Sequence, residues 1–172
     1  MSDAEADRQG VLEILERHGV RYVVIGGAAA EARGWRGRSL DIDVVPAPDE
    51  SNLDRLAGAL NELDARLAVG AGEPDGVTVP GGFDARLLTT NTVWNLLTSY
   101  GPLDLTFKPA GTDGYEDLAR QATREQVPGS DLQVPVAAGA DIIRSKAAAG
   151  RPKDLAVLPQ LREDLTSGAG SG

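Results

Sequence analysis

Tyr22-Val23-Val24-Ile25-Gly26-Gly27-Ala28, followed by Arg38-Ser39-Leu40-Asp41-Ile42-Asp43-Val44, carries the strongest structural signal in the chain. Its first half reads as a buried strand over 21–26 that ends in a glycine turn. Its second half is a short apolar run over 40–45 that carries two aspartates. In an extended strand side chains alternate, so Asp41 and Asp43 share one face while Leu40, Ile42 and Val44 share the other. Two carboxylates on one face suit a hard divalent cation bound through oxygen, Mg²⁺ or Mn²⁺. The glycine pair opens a short helix over 28–32, where bare backbone N–H groups favour phosphate oxygens. A metal site and a phosphate site would then lie side by side.

Working outward, Val11, Leu12, Ile14 and Leu15 give an apolar face to a first helix over 4–18, stopped by Gly19. Pro46 and Pro48 break the chain after the second strand, and Leu53, Leu56, Ala57 and Leu60 mark the inward stripe of a helix over 51–63. A strand is expected over 65–69, a glycine- and proline-rich mobile loop over 70–82, and a short strand over 83–88. Strands over 93–100 and 103–107 read as a hairpin turning at Gly101-Pro102. Asp104 lies in the second of them, opposite in direction to Leu103, Leu105 and Phe107, which makes it the natural third carboxylate. A helix over 115–123, a strand over 132–136 and a helix over 141–149 ended by Gly150 follow. Pro152 then suits the first turn of a last helix through 162. The order mixes α and β without strict alternation, so the fold class is α+β, a mixed sheet flanked by helices. One domain over 1–165 is expected, with a flexible Gly/Ser tail over 166–172.

The 172 residues include 41% hydrophobic and 25% charged residues, which is ordinary for one globular domain. The formal charge of −9 argues against broad nucleic-acid binding, which depends on Lys and Arg neutralising phosphates. The basic residues are nevertheless clustered: Arg33, Arg36 and Arg38 precede the aspartates, and Arg144, Lys146, Arg151 and Lys153 group late in the chain. Two basic clusters in an acidic chain point to a focused anion site. With no cysteine there is no disulfide framework and no thiolate zinc site, which fits a cytoplasmic location. No apolar run approaches the ~20 residues that a membrane span needs. The one histidine, His18, reads as a helix C-terminal residue rather than a catalytic one.

Acidic pairs one residue apart arise by chance in a chain with 26 Asp and Glu. Glu62 and Asp64 fall on a helix end, where that spacing splays them, and Glu73 and Asp75 fall in a loop. Only Asp41 and Asp43 combine a strand, a preceding Gly-Gly turn and nearby arginines. Trp94 and Tyr100 read as hairpin packing residues, although aromatic rings can also stack on a base. Lys146, four positions after Ile142, reads on periodicity alone as a lysine bordering an apolar face.

Taken together, the stretches over 22–28 and 38–44, with Gly101-Pro102-Leu103-Asp104-Leu105 and the run from Ile143 to Leu155, resemble the nucleotidyltransferases of the DNA polymerase β superfamily. The resemblance is to the small bacterial ones related to abortive-infection and toxin-antitoxin systems. It implies the nucleotidyltransferase fold, with Gly26 and Gly27 holding nucleotide phosphates and Asp41, Asp43 and Asp104 binding Mg²⁺. Asp104 would help bind metal or deprotonate the attacking hydroxyl. Lys146 would meet the triphosphate, Asp154 would orient Lys146 or the nucleotide, and Arg38, Ser39, Arg151 and Lys153 would be phosphate neighbours. The implied reaction moves an NMP from an NTP to a hydroxyl on RNA, such as a tRNA 3′ end, or on protein. A cognate antitoxin or toxin protein is the implied partner. A catalytically silent binding module and a small-molecule transferase of the aminoglycoside type are the alternatives. Three departures stand out: Gly27 replaces the usual serine, Arg38 lies one residue closer to Asp41 than usual, and Val157 stands where many relatives carry a second aspartate.

Overall fold

The computed structural model describes residues 6–167. Helix α1 (Arg8–Arg17) starts where the Asp7 carboxylate accepts from the Gly10 N–H and stops before Gly19, whose φ of +69° suits a residue without a Cβ. Strand β1 (Tyr22–Ile25) runs into helix α2 (Gly26–Ala32), and an irregular segment leads to strand β2 (Ile42–Pro46). Helix α3 (Glu50–Glu62) is capped by Asp49, which accepts from the Asn52 N–H. Strands β3 (Arg66–Leu67) and β4 (Val77–Thr78), helix α4 (Ala85–Leu88), and strands β5 (Val93–Thr98) and β6 (Gly101–Thr106) follow. Helix α5 (Tyr115–Ala119), strands β7 (Thr123–Gln126) and β8 (Gln133–Val136), and helices α6 (Gly139–Ala149) and α7 (Pro152–Ser167) complete the described chain.

All strands join one eight-stranded mixed sheet of order β4-β3-β5-β6-β2-β1-β8-β7. At its centre β2 is antiparallel to β1 and parallel to β6, while β8 is parallel to β1. Alternation along these strands builds the core: Ile42, Val44, Leu103, Leu105 and Leu96 are buried in one cluster with Leu12, Leu15, Leu53, Leu56 and Leu60 of α1 and α3. Each such side chain, taken from water, contributes roughly 1.5–3 kcal/mol. The opposite face of the same strands carries Asp43, Asn95 and Asp104.

Several elements differ from the sequence expectation. Strand β2 begins at Ile42 rather than at Leu40, which is 45% exposed, so Asp41 lies just outside the strand. Residues 83–88 form no strand; Asp84 caps α4 by accepting from the Leu87 N–H at 2.7 Å. The edge next to β3 is taken by β4, inside the loop expected over 70–82. The hairpin turns at Ser99-Tyr100, one step before Gly101, because Thr98 Oγ1 accepts from the Tyr100 N–H and donates to the Gly101 carbonyl. Thr123 leaves the helix expected over 115–123 and opens β7, paired with Val136. Helix α7 continues past 162 to Ser167, despite Pro159, as Leu158, Leu161 and Leu165 keep packing inward. It thereby absorbs the first residues assigned to the tail. The rest of that tail and the start of the first expected helix lie outside the described residues.

Candidate functional site

The register of the central strands places Asp43 directly beside Asp104, and Asp104 beside Asn95 on β5. Asp43 also lies opposite Ile25, the last residue before the glycine pair. This explains both glycines. Gly26 has φ +69°, and a Cβ there would stand 2.3 Å from Asp43 Oδ2. A Cβ on Gly27 would stand 2.3 Å from Ser39 Cβ and 2.6 Å from its hydroxyl oxygen. The first glycine makes room for a carboxylate, and the second makes room for Ser39.

Burial pushes the Asp43 carboxyl above the usual carboxylate range, and the Asp41 charge adds to this; a hydrogen bond with Asp104 and the charges of Lys146 and Arg151 oppose it. Asp104 is pushed up to about 7, first by burial and then by the charge of Asp43 and their shared hydrogen bond, with Asp41 adding to the effect. The two carboxyls therefore share a proton at mildly acidic pH and titrate as a unit. Among the described residues, no group of three or more His, Cys, Asp or Glu side chains is arranged to hold a metal ion. The chain instead presents a pair of desolvated carboxylates in register, with Asp41 nearby as added negative charge. An oxygen-only donor pair whose own repulsion a hard cation would relieve fits Mg²⁺ or Mn²⁺.

The facing wall comes from α6 and α7. Gly150, with φ +64°, ends α6 in the left-handed region, and Pro152 opens α7 two residues later. This sharp turn brings Arg151, Lys153 and Asp154 back toward Lys146. Asp154 is fully buried and accepts from Lys146 Nζ at 3.2 Å, from Arg151 Nε at 2.5 Å and from Arg151 Nη2 at 3.1 Å. Hydrogen bonding to Arg151, joined by Lys146, holds its carboxyl below the usual range. One buried anion thus aligns two cations along the cleft.

A cleft of about 680 Å³ joins the two walls. Gly26, Gly27, Arg38, Ser39, Asp41, Asp43, Asp104, Lys146, Arg151, Lys153 and Asp154 all line it, so the structure brings every sequence-derived site residue to one place. Sequence reasoning missed Trp35, Asn95, Thr106 and Asp141, which line it too. Asn95 was within reach of the alternation on β5, since it faces away from buried Trp94 and Leu96. Trp35 and Asp141 carry no periodic signal of their own. Trp94 packs edge-on against Phe83, with centroids 6.0 Å apart, and His18 caps α1 beside Glu62 at 3.1 Å. Both are structural, as read.

No family model matches the chain, and no curated protein matches it in sequence. Solved structures do. The lincosamide antibiotic adenylyltransferase LnuA, with lincomycin bound, superposes with a TM-score of 0.57 at 13% identity, over 89% of this chain and 92% of that one. The antibiotic-resistance factor ANT(2'')-Ia, in complex with adenylyl-2''-tobramycin, gives 0.54 at 17% identity, over 91% and 84%. TM1012, a candidate nucleotidyltransferase from Thermotoga maritima, gives 0.52 at 14% identity, over 90% and 89%. With its eight-stranded mixed sheet, its paired carboxylates on β2 and β6 and these structural likenesses, the chain has the nucleotidyltransferase fold.

Proposed function

We propose that the protein transfers a nucleoside monophosphate from an NTP to a hydroxyl acceptor. The observation that carries this reading is the juxtaposition of Asp43 and Asp104 on adjacent strands, facing Lys146, Arg151 and Lys153 across one cleft that is also lined by Gly26 and Gly27 at the start of α2. Asp43 and Asp104 would hold the divalent ion, with Asp41 adding charge. When bound, that ion neutralises phosphate oxygens and makes the acceptor hydroxyl easier to deprotonate. The chain's own residues do the rest. Lys146, aligned by Asp154, and Arg151 and Lys153 on α7 balance the charge of the triphosphate and of the departing pyrophosphate. Arg38 and Ser39 bound the phosphate end beside Gly27. Asp104 would act with Asp43 as a ligand of that ion, its raised proton affinity being a property of the metal-free pair that a bound cation relieves, and the proton of the acceptor hydroxyl would pass to solvent.

Two acceptor classes are compatible with this chemistry. A hydroxyl at an RNA end, such as a tRNA 3′ end, or on a protein is the class implied by the toxin-antitoxin resemblance, in which a cognate antitoxin would be the partner. A small-molecule hydroxyl is the class favoured by the named antibiotic-modifying structures. The charge of −9 also favours it, since a polyanionic RNA gains little from an acidic surface. Incubation with each labelled NTP and Mg²⁺, against total RNA, lysate protein, an aminoglycoside and a lincosamide in turn, separates the classes by which fraction takes up label. Asp41→Ala and Asp43→Ala abolish the transfer on this reading. Undiminished labelling by both variants would place the chemistry elsewhere, and nucleotide binding without any transfer would mark a silent binding module.

A further inference from the structure

The segment from Arg33 to Asp41 has no regular secondary structure, yet it supplies Trp35, Arg38, Ser39 and Asp41 to the cleft. Irregular chain holds its shape only where other groups fix it, and here side chains do so at three points. At its start, Arg33 Nε donates to the Ala137 carbonyl at 3.1 Å and Arg33 Nη2 to the Val136 carbonyl at 2.9 Å, which ties the segment to the end of β8. In the middle, the Asp164 carboxylate on α7 accepts from the Arg36 backbone N–H at 3.0 Å, from Arg36 Nη2 at 2.9 Å and from Arg36 Nε at 3.1 Å. Gln160 Nε2 completes the set at 2.7 Å. At its far end, Arg8 on α1 donates from Nη2 to the Ser39 carbonyl at 2.7 Å, while its Nη1 pairs with Glu31 Oε2 at 2.6 Å.

The burial of these anchors is the telling part. The Asp164 side chain is 3% exposed, whereas its partner Arg36 is 73% exposed, so the carboxylate is the fixed post to which the segment comes. Arg8 is likewise 9% exposed. Burying a charge is costly unless it is paired, so each of these two groups is held where it is by the partners it meets. What the charges add is a defined path for the backbone between Arg33 and Asp41.

We propose that Arg8 and Asp164 are positioning residues: from helices near the two ends of the chain they clamp the segment that carries Arg38, Ser39 and Asp41 into the cleft. Neither side chain is assigned to the nucleotide or the metal. This inference rests on the nucleotide-site reading for what the segment serves, but the clamp itself can be measured without it. The chain contains two tryptophans, Trp35 in the segment and Trp94 in the core. Since the Trp94 indole N–H has no hydrogen-bond partner, Trp94→Phe removes its emission without breaking a hydrogen bond and leaves Trp35 as the sole reporter.

In that background, acrylamide quenching of Trp35 and calorimetric binding of each of the four NTPs with Mg²⁺ are compared for the parent, Asp164→Ala and Arg36→Ala. The second variant guards against loss of folding, because it removes two of the clamp's bonds at an exposed side chain and leaves Asp164 its bonds to the Arg36 N–H and Gln160. In folded variants, checked by circular dichroism, quenching rises and the Kd for the bound NTP weakens about five- to tenfold, the effect of roughly one lost hydrogen bond. Unchanged quenching in both variants, and in Arg8→Met in the same background, overturns the clamp. Increased quenching with unchanged NTP affinity overturns its positioning role. A parent protein that binds no NTP counts against the nucleotide reading instead, and the quenching comparison then decides the clamp alone.

Discussion

At the scale of single residues, the site is governed by the crowding of Asp43 and Asp104. Because the native state raises the proton affinity of Asp104 to a value of about 7, folding binds protons more tightly than the unfolded chain does in the window above the ordinary carboxylate range. Stability from this source is present at low pH and is lost as pH rises toward 7. Metal-free protein should therefore unfold more easily at pH 8 than at pH 5.5 through this pair, and Asp104→Asn should remove much of that slope. Added Mg²⁺ should raise the melting midpoint at pH 8 in the parent and leave Asp104→Asn almost unchanged. Thermal unfolding at several pH values, with and without Mg²⁺, checks both statements. The glycine turn makes an equally local prediction. Gly27→Ala drives a methyl group into Ser39, and Gly26→Ala adds a strained φ to a collision with Asp43. Both should weaken NTP binding, Gly26→Ala more severely, as titration calorimetry would show.

At the scale of elements, β2 and β6 do two things at once: one face builds the core and the other holds the carboxylates. Leu105 is fully buried between Asp104 and Thr106 in sequence but on the opposite face. Leu105→Ala should cost roughly 2–5 kcal/mol in a urea titration, while the residual native protein keeps its Mg²⁺ response. A loss of metal response without loss of stability would contradict this division of faces. The same alternation made these strands readable from sequence, since period-two patterning survives whatever packs on either side. The elements that were misread are the short ones with weak patterns. In residues 83–88 the Asp84 cap outweighs an apolar run, and at Thr123 pairing with β8 outweighs helix continuity. Strand β4 has two residues and no pattern to read.

At the scale of the whole molecule, the site residues come from elements distant in sequence: the start of α2, the irregular segment before β2 and β2 itself, the hairpin strand β6 and the junction of α6 with α7. Their chemistry was legible because carboxylates, glycines and late basic residues are unusual in those local contexts. Their arrangement was not, because it depends on the parallel pairing of β2 with β6 and on the turn at Gly150, neither of which leaves a local mark. Trp35 entered the cleft by tertiary placement alone, and the anchoring roles of Arg8 and Asp164 emerge only from the folded chain. On the proposed function, Asp43 and Asp104 form the metal-dependent half of a nucleotide site. Calorimetric titration of the four NTPs into the parent and into Asp43→Ala, each with Mg²⁺ and with EDTA, tests it most directly because it needs no acceptor. The parent should bind at least one NTP in a manner that depends on Mg²⁺ and is lost in Asp43→Ala. Binding of equal strength in EDTA, or in Asp43→Ala, would contradict it.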